Sequence, residues 1–146
     1  MTLRIHRTLF DQLRRHGEET YPHECCGVLV GEFEEAGGKT VRSVARCGNT
    51  RTDSPQNRYQ ISPVDLLRIQ REAEMEGRDL VGFYHSHPDH PALWSSTDLG
   101  EAHWSGCSYV ITSVEDGKSI LTNSFLLVGV GESKHFENEN IELEDV

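Results

Sequence analysis

Leu80-Val81-Gly82-Phe83-Tyr84-His85 is an almost unbroken apolar run that ends on a histidine. A short run of this kind, rich in apolar and aromatic residues, reads as a central strand. It leads into Ser86 to Trp94, a loop holding Pro88 and Pro91 together with His87, Asp89 and His90. Ser95-Ser96-Thr97-Asp98 then resembles a capping box and predicts a helix running to about Trp104.

Upstream of the run, Ser62-Pro63-Val64-Asp65 is a helix start, with Ser62 as N-cap, proline at the first helical position and an acid in the first turn. Leu66, Ile69 and Ala73 make its apolar stripe and Gly77 closes it. Gly48 to Asn57 is a polar loop containing Pro55, and Thr40 to Cys47 is a strand. Cys25-Cys26-Gly27-Val28-Leu29-Val30, followed by Gly31, reads as a second strand buried on both faces, with Glu24 at its mouth. Before it, Leu9, Phe10 and Leu13 recur at helical spacing from His6 to about Glu19, and Pro22 limits that helix.

Downstream, Cys107 to Val114 and Ser119 to Val130 are strands joined by an Asp116-Gly117 turn, and one more short hairpin is expected at the carboxyl end. With no internal repeat or linker, the pattern gives an α+β fold: a mostly antiparallel sheet with helices packed on it. Strand order does not follow from the pattern.

At 146 residues the chain has the size of one domain, 1–146. A formal charge of −10 argues against a nucleic-acid partner, because phosphate binding relies on clustered Lys and Arg. Part of the acidic excess falls in 132–146, which reads as an edge hairpin or a solvated tail. Cys25, Cys26, Cys47 and Cys107 lack the spacing of a zinc ribbon or redox motif, so they read as buried thiols in a reducing cytoplasm. Met1 to Phe10 has no continuous apolar core, so neither a signal peptide nor a membrane partner is expected.

The chemistry gathers at the end of the Leu80–His85 run. Side chains in a strand alternate faces, so His85 and His87 can point to the same side and offer two nitrogen ligands. A catalytic zinc takes three protein ligands and leaves a fourth position for water. Asp98, which the proline-bearing loop can bring back beside the histidines, is the natural third ligand. Hydrolysis also needs a proton carrier, for which Glu24 serves if its strand lies beside Leu80–His85. Hydroxyls at Ser95 or Ser96 could donate to a developing oxyanion. Each has a plainer reading: Glu24 as a solvated edge carboxylate, Ser95 and Asp98 as helix caps, the histidines as an unliganded pair.

His85-Ser86-His87-Pro88 followed by Ser95 and Asp98 resembles the motif of the JAMM/MPN-plus zinc metalloprotease family. Pro22-His23-Glu24-Cys25-Cys26-Gly27-Val28-Leu29-Val30-Gly31 is similar to that family's glutamate segment. The resemblance runs from about His6 to Val130 and implies an MPN-like domain. In it, His85, His87 and Asp98 would ligate one zinc, Glu24 would act as general acid/base and Ser95 as oxyanion donor. Asn49, Arg58-Tyr59 and Ser62-Pro63 resemble the short bacterial members that act on ubiquitin-like sulfur carriers. That implies cleavage of an amide at the carboxyl end of a small carrier ending in Gly-Gly, releasing an amino acid such as cysteine. A non-catalytic MPN-like module and a zinc amidohydrolase for small molecules remain as alternatives. His90, next to Asp89, could contact substrate or compete for metal.

Overall fold

The computed structural model describes residues 1–51 and 58–145. Among these, the elements run β1 (Thr2–His6), α1 (Arg7–Thr20), β2 (Cys26–Phe33), β3 (Lys39–Cys47), α2 (Pro63–Met75), β4 (Asp79–Pro88), α3 (Ser96–Glu101), β5 (Ser108–Glu115), β6 (Lys118–Val128) and β7 (His135–Glu144). The loop expected over 48–57 lies, for residues 52–57, outside the described residues.

The α+β class holds, but the sheet is not an open layer flanked by helices. It closes into a barrel in the order β1-β3-β2-β4-β5-β6-β7. The closing element is β1, which pairs in parallel with β3 on one side and with β7 on the other. A third parallel pair joins β4 and β5, while β2 with β3 and β4, and β6 with β5 and β7, are antiparallel. Closure removes the free edges of an open sheet.

β1 is encoded by the alternation Leu3-Arg4-Ile5, whose two apolar side chains are fully buried among Leu13, Leu29 and Val110. The acidic carboxyl segment likewise supplies β7, a ten-residue strand between β6 and β1. Glu139 on β7 is buried with Lys39 on β3, at 2.7 Å between Nζ and Oε2. Its other oxygen accepts from the hydroxyls of Ser108 and Ser124. A buried charge held by three donors is tolerated where a lone one is not.

Two local boundaries differ from expectation. β4 runs on through His87 to Pro88, so both histidines lie on a strand with Ile111 and Ser113 as their β5 partners. α3 stops at Glu101 because Ala102 turns extended and Trp104 leaves to place its ring edge-on to Phe83, 5.4 Å away. Ser62 stands at the N-cap of α2, ahead of Pro63, but its side chain makes no capping hydrogen bond.

Candidate metal centre

β2 and β4 lie side by side, with Cys26 opposite His85. The backbone contact continues past the end of β2, where the Ser86 N–H donates to the Cys25 carbonyl and the Cys25 N–H to the Ser86 hydroxyl. Continued one residue further, this register sets Glu24 opposite His87, which is the neighbour relation the sequence required of it.

Alternation along β4 turns both imidazoles to one side, with their Nε2 atoms 3.2 Å apart. Asp98, in the first turn of α3, completes the group: Oδ1 lies 3.2 Å from His85 Nε2 and Oδ2 lies 3.1 Å from His87 Nε2. The three ligand atoms sit within 4.8 Å of one another. The capping box of α3 is made by the same residues, since Ser95 Oγ accepts from the Asp98 N–H and Asp98 Oδ2 accepts from the Ser95 N–H. Capping and convergence on the histidines therefore coexist, with Oδ2 shared between them.

The surroundings suit a cation. His87 Nδ1 lies 2.9 Å from the Pro91 carbonyl, which can only accept, so Nδ1 carries the proton and Nε2 presents its lone pair to the group. The loop that carries Pro91 is itself tied down by the Asn123 amide on the Ala92 carbonyl and the Ser113 hydroxyl on the His90 carbonyl. Two nitrogen lone pairs and a carboxylate in contact, all largely buried, match the donor set of a zinc site with three protein ligands.

Electrostatics follow from burial and this contact. Burial pushes the His85 imidazolium down against the pull of Asp98. For His87 burial acts the same way, but the hydrogen bonds to Asp98 and Pro91 outweigh it and the net shift is upward. Asp98 is raised by burial yet held far below the ordinary carboxylate range by the two histidines. Burial pushes the Glu24 carboxyl up to about 8, opposed by His87 and reinforced by Asp98 and Glu101. Glu24 Oε1 has no hydrogen-bond partner among the described residues.

Two features were not apparent as site features in the sequence. The Tyr59 ring stacks on His85 with centroids 4.5 Å apart. Beyond it opens a cleft of about 350 Å³, lined by Tyr59, Leu66, Phe83, Glu101, Trp104 and Tyr109. Tyr59 comes from the far side of the 48–57 loop, so only the folded chain brings it to β4. Trp104 both packs on Phe83 and lines the cleft. Trp94 packs near Phe136, at 5.5 Å, and does not line the cleft. Cys25, Cys26, Cys47 and Cys107 are free, buried thiols.

The chain matches the family of prokaryotic homologs of the JAB domain over residues 6–127. It is 37% identical over 97 residues to a desampylase of Haloferax volcanii, an alignment covering 66% of this chain and 66% of that one. It is 33% identical over 121 residues to a probable TtuB-protein conjugate cleaving protease of Thermus thermophilus, covering 83% of this chain and 76% of the relative. The solution structure of a protein from Desulfitobacterium hafniense superposes with a TM-score of 0.83 at 26% identity, covering 99% of this chain and 94% of the other.

Proposed function

This chain belongs to the family of prokaryotic homologs of the JAB domain, and from that premise we propose that it is a zinc-dependent metallopeptidase that hydrolyses an amide at the carboxyl terminus of a ubiquitin-like carrier protein. His85, His87 and Asp98 would hold one zinc, Glu24 would carry the proton and Ser95 would donate to the carbonyl oxygen. The carrying observation is the meeting of three ligand atoms within 4.8 Å beside a buried carboxyl whose Oε1 has no partner among the described residues. The two relatives' names, a desampylase and a conjugate-cleaving protease, support a protein conjugate over a small molecule as substrate.

When bound, zinc supplies Lewis acidity that polarises a carbonyl and acidifies a water. The rest of the chemistry falls to the chain. The Glu24 carboxyl, raised to about 8 in the metal-free chain, would be lowered by a bound cation, and its ionised form can take a proton from water and pass it to the leaving amine. Ser95 Oγ accepts the Asp98 N–H, which leaves its own proton free to donate to the substrate oxygen. Asp98 brings negative charge and His87 is fixed in one tautomer by Pro91. In this reading residues 1–146 are one domain, a carrier ending in Gly-Gly is the partner and cysteine is a candidate product. The four free thiols suit a reducing cytoplasm, and no helix among the described residues is long and apolar enough to cross a membrane.

Metal analysis paired with a cleavage assay tests this. About one zinc per chain is expected, lost in His87→Ala and Asp98→Ala, together with chelator-sensitive cleavage of an amide-linked conjugate of a Gly-Gly-ended carrier. A protein that takes up no zinc refutes the site. One that holds zinc and binds the conjugate without cutting it is a binding module.

A further inference from the structure

The wall of the cleft nearest the metal group is tied together by the side chain of Asn49. Asn49 Nδ2 donates to the carbonyls of Glu24 at 3.3 Å and Arg58 at 3.0 Å. Its Oδ1 accepts from the backbone N–H of Arg51 at 3.0 Å and of Gln60 at 3.1 Å. A primary amide offers two donors and two lone pairs, so all four positions are used. Beside it, the Thr50 N–H and hydroxyl both donate to the Gln60 carbonyl, closing the neck between 49–51 and 58–60.

Tyr59 sits in that neck, between two residues whose backbone groups Asn49 holds. Its ring is stacked on His85, and with Arg51 and Gln60 it lines the cleft. Arg58 adds an ion pair to Glu101 on α3. One amide thus joins the backbone of the presumed proton carrier, the wall of the cleft and, through an aromatic ring, a presumed metal ligand.

We propose that Asn49 is a positioning residue that sets the cleft wall by holding Tyr59 on His85. This rests on the hydrolase reading above. Asn49 touches no reacting atom; it acts through Tyr59. Aspartate has the same shape but would turn an oxygen toward the two carbonyls, so the Nδ2 donors and not the volume are what the position requires.

The test uses the full-length zinc-loaded chain, an amide-linked conjugate of a Gly-Gly-ended carrier, and the variants Asn49→Ala, Asn49→Asp, Tyr59→Ala and Tyr59→Phe. Asn49→Ala and Tyr59→Ala should each keep their zinc and lower kcat/KM roughly tenfold, mainly by raising KM, which is how displaced uniform binding shows itself. Asn49→Asp should be no better than Asn49→Ala, and Tyr59→Phe, which keeps the ring, should lose less than Tyr59→Ala. The double variant Asn49→Ala/Tyr59→Ala should lose no more than Tyr59→Ala alone, because residues acting through one contact are not additive. Multiplied losses, or a wild-type KM in Asn49→Ala, would overturn the proposal. An arm independent of turnover is the His85 ring-proton resonance, which the stacked Tyr59 ring shifts. In Asn49→Ala it should move to the position it takes in Tyr59→Ala, and an unmoved resonance would refute the proposal even in a protein that cleaves nothing. Loss of cleavage by the wild type would instead strike the underlying reading.

Discussion

Glu24 and Glu139 are both buried, at 3% and 6% exposure, and they sit in opposite circumstances. Glu139 is answered on both oxygens, by the Lys39 ammonium and by two serine hydroxyls, in the seam where β3, β5, β6 and β7 meet. Glu24 faces a histidine and other acids, and one of its oxygens has no partner among the described residues. Buried polar groups are ordinarily satisfied, and an unsatisfied one marks either strain or function. The first glutamate ties four strands of the barrel, whereas the second is kept protonatable beside the three ligand atoms, where the proposed reaction would move a proton.

The comparison breaks first on activity. Glu24→Gln should cut turnover about a thousandfold, within the range for losing a general acid/base, while zinc content and the thermal midpoint stay at or above wild type. Normal turnover in this variant would remove Glu24 from the chemistry.

Glu139 should show the reverse. Glu139→Ala strands the Lys39 ammonium and is expected to cost about 3–5 kcal/mol in urea unfolding, with kcat of the folded fraction unchanged. Replacing both charges, as in Lys39→Met with Glu139→Gln, should return stability to within about 1 kcal/mol of wild type. If the single variant were as stable as wild type, the seam pair would be incidental.

The third effect is the pH dependence of stability in the metal-free protein. The folded pKa of Glu24 is about 8 against an ordinary 4.5. Below pH 4.5 both folded and unfolded states hold the proton; between 4.5 and 8 only the folded state does. Stability should therefore fall as pH rises through that window, by about 5 kcal/mol in all. Glu24→Gln should lack this slope. Neutral His16, lowered by burial to about 4, works in the opposite direction below its ordinary 6.5, but equally in both proteins, so the difference between them reports Glu24 together with the His87 charge coupled to it. Equal slopes would mean that the carboxyl is better solvated than its burial indicates.

What the sequence made legible was local. Alternation alone turns His85 and His87 to one side, a capping box brings Asp98 into a first helical turn, and an apolar run delivers Glu24 at its end. What it concealed depends on partners far along the chain. Leu3 and Ile5 are too few to announce a strand until β3 and β7 flank them, and the acids of β7 look like a solvated tail until Lys39 is seen opposite Glu139. Tyr59 and Asn49 carry no periodic signal at all, because their roles lie in one ring contact and four hydrogen bonds across a loop neck. The end of α3 at Glu101 has a related cause: Trp104 packs on Phe83, a residue of a distant strand that the local helix signal does not contain.

The parallel pairing of β1 with β7, Leu3 beside Ile141, also orders events in time. A ribosome delivers β1 well before β7, so the ring of strands cannot shut until β7 has emerged, whereas β2, β4 and β5, which carry or flank the histidines, can already assemble. Contacts between such distant segments are slow to form because a long loop must close before they are rewarded. Until β7 joins, β1 and β6 each present a bare edge to whatever chain is near, and any nascent or clipped form lacking β7 is a template for aggregation.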